Sequence, residues 1–328
     1  MTRAILSTGA RNRRELLKAG AAVLAVAPAT LRLAGAADMK RIGVGQPDRT
    51  ADFYQGFMNA VQTEAKARGY EILQSFSGPA PEKQLAELNA WMASGVDALV
   101  VMPTDSRAIG GVVRKAKEQG IVFVGYANDI PDADGYLKWD DPDAGTKMGV
   151  IIADFIKKNL GGKTEVGMLI FPNHQATRDR IGFTRSSLEK ELPGLTYWET
   201  QAVLAPEALK ATQSLLQAHP GIKVIVCCAD DGALGARAAY MNSGLSDENV
   251  FICGFDGSKQ NLLLLKEKDK FIRASAALDI TDVGHKVVEI PDNILNKREP
   301  VRIDLPYVMV TQDTDAATID SLLKVYQF

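Results

Sequence analysis

The chain has little with which to hold a metal ion or a nucleic acid. It contains three histidines and three cysteines in 328 residues, and none of them shows the Cys-x-x-Cys or His-x-x-x-His spacing typical of zinc sites. After residue 36 no basic run remains that could follow a phosphate backbone. These absences argue against a metal site and a nucleic-acid partner, and we expect no cofactor.

The cysteines are too few, and too apolar in context, for a disulfide framework. Cys227, Cys228 and Cys253 all lie in apolar, strand-like runs. We predict buried free thiols that pack as small hydrophobic side chains. A bridge between Cys228 and Cys253 on neighbouring strands stays open as the alternative.

Basic residues are concentrated at the N-terminus. Residues 12–18 contain the pair Arg13-Arg14, residues 19–27 are apolar, and residues 34–37 are small. This order predicts a secretory signal peptide of the twin-arginine kind, cleaved after Ala36. The apolar run is too short and too interrupted for a membrane span. Removal of six basic residues and one acidic residue takes the formal charge from −2 to −7, and we expect a soluble, exported, periplasmic protein.

The remainder of the chain alternates between strand-like and helical patterns. Apolar strand-like runs occur at 41–45, 70–75, 98–102, 121–124, 165–171, 197–203, 222–228, 249–254 and 272–278. Helical patterns occur at 52–68, 81–94, 106–119, 177–191, 207–218, 231–243, 258–268 and 281–296. Strands that are apolar on both faces and alternate with helices predict parallel sheets covered by helices on each side. The pattern repeats in the two halves, which predicts an α/β fold of two doubly wound lobes.

Polar residues follow many of these strands, where ligands bind in doubly wound sheets. An Asp or Ser in this position is most often the N-cap of the next helix. However, several strand ends carry carboxylate, amide or guanidinium groups, whose paired donors and acceptors match the vicinal hydroxyls of a sugar or polyol.

Four segments together resemble those of periplasmic solute-binding proteins of the type I class, the ribose- and galactose-binding group that feeds ABC importers. These segments are residues 93–106, 218–220, 229–236 and 254–257. The resemblance extends over about residues 40–312. It implies two lobes joined by a hinge of three crossing segments, near Trp139–Asp140, Leu278–Asp279 and Val310–Gln312. Residues 39–139 plus 279–311 would form the N-terminal lobe, and residues 140–278 plus 312–328 the C-terminal lobe.

The resemblance also implies a set of ligand contacts. Arg178 matches the sugar-binding arginine, Asp256 the carboxylate that follows the last strands of the second lobe, and Phe53 an aromatic stacking residue. The expected ligand-binding residues are Asp52, Phe53, Asn128, Asp140, Arg178, Asp230, Asp256 and Asp279, with Asp140 and Asp279 at the hinge. An Arg178→Ala change is expected to weaken binding at least tenfold.

The first lobe departs from the ribose group. Residues 50–53 replace its Asn-Pro-Phe-Phe-like turn, and Ala127-Asn128 stand where that group has Asp-Arg. Asp52 would supply an acceptor in compensation. The ligand therefore stays open among polyols, deoxy sugars, branched or short-chain sugars, cyclitols and amino sugars.

These observations favour a monomeric, non-enzymatic solute-binding component that closes on a sugar or polyol and delivers it to an ABC permease in the inner membrane. One alternative is an exported hydrolase that uses Asp230 and Asp256, although no Gly-x-Ser-x-Gly motif is present. A second is a ligand-binding adaptor for a membrane sensor. A transcriptional regulator would need a helix-turn-helix where the signal peptide lies.

Overall fold

The computed structural model describes residues 39–46, 52–78, 80–105, 107–127, 130–172 and 174–326, without the side chains of Asp52 and Phe53. The predicted signal peptide at 1–36 lies outside the described residues. Among those described, no helix is both long and apolar enough to cross a membrane.

The described residues form two six-stranded sheets. The first has the order β11-β5-β4-β3-β1-β2 and the second β12-β10-β9-β8-β6-β7. The strands are β1 Arg41–Gln46, β2 Glu71–Phe76, β3 Ala98–Val101, β4 Val122–Tyr126, β5 Gly135–Trp139, β6 Glu165–Ile170, β7 Thr196–Gln201, β8 Ile222–Cys227, β9 Phe251–Asp256, β10 Ile272–Ala277, β11 Arg302–Leu305 and β12 Val308–Thr311. Every pair is parallel except β10 with β12, so the predicted α/β fold of two lobes is confirmed.

Helices connect nearly all the strands, as parallel connections require. They are α1 Asp52–Arg68, α2 Pro81–Ser94, α3 Gly110–Glu118, α4 Asp141–Asn159, α5 Gln175–Glu191, α6 Ala205–Ala218, α7 Asp230–Met241, α8 Lys259–Lys266, α9 Ile280–Leu295 and α10 Ala316–Leu323, followed by a short 3₁₀ turn at Lys324–Tyr326. The central strands are buried on both faces: β3, β4 and most of β8 and β9 are closed to solvent.

The chain passes between the two sheets three times. It leaves the first after β5, returns after β10, and leaves it again between β11 and β12. The third crossing differs from the predicted one near Val310–Gln312, because Val308–Thr311 already pairs with β10 of the second sheet. Tyr307 therefore lies in a crossing segment, and the segment 308–311 belongs to the second lobe.

The end of the chain links the lobes once more. The Tyr326 hydroxyl donates to the carbonyl oxygen of Gly257, which follows β9 of the second sheet, at 3.0 Å. The same ring lies against Gly56 of α1, where a Cβ would contact it. This terminal turn thus contacts the first lobe and the end of β9 at once.

All three cysteine thiols are buried and free, which agrees with the main prediction; the bridge between Cys228 and Cys253 is not formed in this described part of the chain. Burial raises the pKa of each thiol. The thiols are therefore packing groups rather than reactive ones.

Candidate functional site

A buried arginine organises the carboxyl edge of the second sheet. Arg180, which is 4% exposed, donates from Nε to Asp141 Oδ1 at 2.8 Å and from Nη1 to Asp256 Oδ1 at 2.8 Å. It also donates to the Cys228 carbonyl oxygen at 3.1 Å and to the Tyr307 hydroxyl at 2.8 Å. We call Arg180, Asp141, Asp256 and Tyr307 the arginine cluster.

The cluster joins several separate elements. Arg180 comes from α5, Asp141 from the first turn of α4, Asp256 from the end of β9 and Tyr307 from the third crossing. The Tyr307 hydroxyl donates to Asp141 Oδ1 at 2.7 Å, which closes the ring of contacts. Residues at two of the three crossings, Asp141 and Tyr307, thus form hydrogen bonds with the Arg180 guanidinium.

Close packing of α4 on α5 fixes Arg180 in this position. A Cβ at Gly145 would collide with the Arg180 carbonyl oxygen, and one at Gly149 would collide with Ser187. The Ser187 hydroxyl donates to the Thr146 carbonyl oxygen at 2.8 Å across the same contact. The absence of side chains at 145 and 149 lets the two helix backbones approach, and this brings Asp141 to the guanidinium.

Asp256 is held in an unusual backbone conformation. Its φ is +106°, a region that L-residues other than Asn and Asp rarely adopt, and Gly257 follows at +72°. Such conformations persist where the surrounding structure enforces them, often at functional sites. The turn presents the carboxylate to Arg180 at the end of β9.

The electrostatics of the cluster follow from burial. Burial raises the pKa of Asp256 to about 6, although the Arg180 guanidinium acts in the opposite direction. Burial also raises the pKa of Asp141, again against Arg180. The pKa of His174, next to α5, is lowered to about 4 by burial and by the charges of Arg180 and Arg178. The His174 imidazole is therefore neutral at pH 7, whereas, against the effect of burial, the charges of Asp256 and Asp141 raise the pKa of Arg180 and keep its guanidinium charged.

Arg178 lies away from this cluster. Its side chain is exposed and donates to the Pro172 carbonyl oxygen at 2.7 Å. Residues two positions apart in an α-helix are rotated by about 200° around its axis, so Arg178 and Arg180 point to opposite sides of α5. The guanidinium that contacts Asp256 is therefore that of Arg180, and Arg178, which the resemblance implies as a ligand-binding residue, lies on the other side of the helix.

Asp230 is a second case in which the structure assigns other contacts. The side chain is 1% exposed, accepts from Ser258 N at 2.7 Å, and accepts from the Ser275 hydroxyl at 2.9 Å. A Cβ at Gly254 would collide with it. Asp230 thus ties α7 to β9 and β10 from inside the lobe, and the paired use of Asp230 and Asp256 in a hydrolase has no support in these contacts.

The two hinge aspartates cap helices. Asp140 Oδ1 accepts from Asp143 N at 3.0 Å at the start of α4, and Asp279 Oδ1 accepts from Thr281 N at 3.1 Å at the start of α9. Both are exposed. Their carboxylates satisfy N–H groups of a helix end, although both residues do lie at crossings as expected.

The remaining predicted contacts are not described. Asn128 and the side chains of Asp52 and Phe53 lie outside the described residues. On the first lobe, the described polar side chains at the strand ends are instead Gln46, Tyr126 and Trp139, which end β1, β4 and β5.

Two lobes with parallel sheets and a buried polar cluster between their strand ends define a two-lobed ligand-binding protein. The chain belongs to the family with a periplasmic binding protein domain, whose model matches residues 42–299. Membership of this family implies an exported protein.

Named relatives and solved structures agree with this assignment. The chain is 29% identical to a ribose import binding protein of Bacillus subtilis (strain 168), over 83% of this chain and 87% of the relative. It is 27% identical to a xylitol-binding protein of Mycolicibacterium smegmatis, over 87% and 81% of the two chains. A Bacillus halodurans ABC transporter solute-binding protein with bound myo-inositol has the same fold, with a TM-score of 0.78, 21% identity, and coverage of 88% and 99%.

Proposed function

We propose that this protein is the solute-binding component of an ABC importer, and that it binds a sugar or polyol between its lobes. The observation that carries the proposal is the arginine cluster, which gathers a guanidinium and two carboxylates where strand ends and crossings meet. The functions of the relatives, ribose import and xylitol binding, point to the same class of ligand.

The cluster retains capacity for a ligand. A guanidinium has five N–H donors, and four contacts of Arg180 to the described residues use four of them. Asp256 uses Oδ1 for Arg180 among the described contacts, and its side chain is 23% exposed. One donor and one carboxylate oxygen therefore stay available, which suits two adjacent hydroxyls.

We propose a binding mechanism of lobe closure about the three crossings. A ligand that bonds to both lobes favours the closed state by its differential affinity for that state. Tyr307 and Asp141 adjoin the crossings and contact Arg180 directly, so occupation of the cluster would be transmitted to the hinge. In this proposal the protein acts as a periplasmic monomer, is exported with the aid of residues 1–36, performs no catalysis, and presents its closed form to the permease.

The test is a thermal-shift screen of the purified protein against pentoses, hexoses, pentitols, hexitols and inositols, followed by calorimetric titration of each ligand that raises the Tm. A ligand that binds only the folded state stabilises it by about 2.7 kcal/mol at one hundred times its Kd. The matched variant is Asp256→Asn, which we expect to bind at least tenfold more weakly. A protein that no member of this panel stabilises would contradict the proposal.

A further inference from the structure

Among the described residues, the first lobe carries three buried residues whose side-chain polar atoms have no hydrogen-bond partner. Gln46 and Tyr126 are 0% exposed and Trp139 is 5% exposed. In the described part of the chain, no partner is found for either amide atom of Gln46, the Tyr126 hydroxyl or the Trp139 indole nitrogen. A buried polar group without a partner is rare in native proteins and costs free energy. Three of them in one region require an explanation.

The three side chains share one face and one edge of the first sheet. Each is the last residue of its strand, and successive side chains of a strand alternate between the faces. Two residues earlier stand Val44, Val124 and Leu137, which all belong to the same apolar core. Gln46, Tyr126 and Trp139 therefore extend that core at the carboxyl edge, where ligands of doubly wound sheets bind.

Aromatic packing, rather than hydrogen bonding, holds the two rings in place. Tyr126 stacks on Phe57 with ring centroids 4.9 Å apart and meets Trp139 edge-on at 5.5 Å. The rings are thus fixed before any hydroxyl or N–H bond is made. Their polar atoms are thus held in place by ring packing, with no hydrogen-bond partner in the part of the chain that the structure describes.

This edge adjoins the arginine cluster along the chain, because Trp139 stands two residues before Asp141 and its strand partner Leu305 stands two residues before Tyr307. The strand ends of the first sheet thus lead directly into the segments that carry the arginine cluster. Burial and the neighbouring Tyr54 contribute most to raising the pKa of Tyr126. The charge of Asp256 raises it further, whereas the charge of Arg180 lowers it.

We infer that Gln46, Tyr126 and Trp139, termed the neutral wall, form the first lobe's half of the ligand site and bind oxygen atoms of an uncharged, polyhydroxylated ligand. This inference rests on the proposed function. The indole N–H only donates, so it requires a hydroxyl or ether oxygen, whereas the amide and phenol groups also accept from hydroxyls. Uncharged groups compensate for the desolvation of a hydroxyl far better than for that of an ammonium or carboxylate.

A ligand-binding role and a purely structural role of these side chains predict different effects of mutation on stability and on ligand affinity. Removal of an unpartnered hydroxyl leaves the stability of the free protein unchanged or higher, yet weakens ligand binding. The variant is Tyr126→Phe, and the matched control is Tyr240→Phe, because the buried Tyr240 hydroxyl donates to the Ile222 carbonyl oxygen at 2.9 Å. A second pair is Trp139→Phe with Trp198→Phe, since the Trp198 indole donates to Glu165 Oε2 at 2.6 Å.

The measurements are the Tm without ligand and the Kd for xylitol, D-ribose, D-allose and myo-inositol by calorimetric titration. For the ligand that binds the wild type most tightly, we expect Tyr126→Phe and Trp139→Phe each to raise Kd about tenfold. Tyr126→Phe, which removes only a hydroxyl, should do so without lowering the Tm. The two controls should lower the Tm and leave Kd unchanged.

Different failures have different meanings. If the wild type binds a probe and both neutral-wall variants bind it equally well, the inference is overturned while the proposed function stands. A Tyr126→Phe variant that loses Tm as Tyr240→Phe does, with unchanged Kd, would also overturn it. If the wild type binds none of the probes, the proposed function fails for this ligand class and the inference fails with it.

Discussion

The two sides of the proposed site satisfy their polar groups in different ways. In the second lobe, Arg180 contacts two carboxylates, a hydroxyl and a carbonyl oxygen, all within the protein. In the first lobe, Gln46, Tyr126 and Trp139 are buried as deeply, and their side-chain polar atoms have no partner among the described residues. One side is internally bonded and charged, and the other is unbonded and neutral.

This difference indicates that the polar groups of the two lobes have different roles in the proposed site. The arginine cluster makes most of its hydrogen bonds without a ligand, so it fixes the geometry of the second lobe and of two crossings. The neutral wall gains its hydrogen bonds only when a ligand arrives, so its free energy favours the occupied state. Changes in the arginine cluster should therefore affect stability and binding together, whereas changes in the neutral wall should affect binding alone.

The largest effect should follow the loss of Arg180. Arg180→Ala leaves the carboxylates of Asp141 and Asp256 buried without their cation, which costs about 3–5 kcal/mol. We expect chemical denaturation to show a loss of that size, together with loss of sugar or polyol binding. Because this variant is at risk of unfolding, Arg180→Lys, which keeps the charge but not the four contacts, is measured beside it and should weaken binding at least tenfold.

Arg178→Ala is the matched control on the same helix. The side chain is exposed and contacts one carbonyl oxygen, so the structure leads us to expect a change in stability below about 1 kcal/mol and no change in Kd. The sequence resemblance led to the opposite expectation for binding. A tenfold weaker Kd for Arg178→Ala with intact binding by Arg180→Lys would show that the arginine cluster is not the site.

The general fold could be predicted from sequence because its signals are local. Apolar runs of strand length alternate with helical periodicity, and this alone indicates parallel sheets in two lobes. The position of Asp256 at the end of a strand was also predictable, since it lies in a Gly-Phe-Asp-Gly segment that follows an apolar run. The third crossing was misplaced because β12 is short and runs antiparallel to its neighbour, which alternation does not predict.

The details of the site depend on tertiary contacts that sequence position does not specify. Arg178 and Arg180 are two residues apart on α5, and only the packing of α4 decides which one is buried. Asp140 and Asp279 follow strands as expected, but each is used by the helix that it begins. The sequence contained one signal for the positions of Gln46, Tyr126 and Trp139: each is a polar or amphipathic residue at the end of an otherwise buried strand.

A smaller effect should distinguish Asp230 from Asp256, the carboxylate of the proposed ligand site. Burial, with the nearby charge of Asp256, raises the pKa of Asp230 to about 7. A carboxyl whose pKa is higher in the folded state than in the unfolded chain favours folding while protonated, so this stability is lost as the pH rises towards and through 7. Between pH 5.5 and 8 the loss should be about 2 kcal/mol.

The measurement is the free energy of unfolding of wild type and Asp230→Asn at both pH values. The amide does not titrate, so the variant should gain on the wild type by about 2 kcal/mol over this interval. The comparison between proteins cancels the shared contribution of His174, whose lowered pKa acts in the opposite direction. A constant difference between the two proteins would show that Asp230 does not titrate there.

The smallest effect contrasts two buried tyrosines on opposite sides of the site. The Tyr307 hydroxyl bridges Arg180 and Asp141, so Tyr307→Phe should cost about 1 kcal/mol of stability and weaken binding through a less well positioned Arg180. Tyr136→Phe is the control, because its exposed hydroxyl makes one long contact of 3.3 Å to Asp304. Tyr126→Phe should weaken binding without the loss of stability. Equal stability losses in Tyr307→Phe and Tyr126→Phe would remove the distinction between a bonded and an unbonded side of the site.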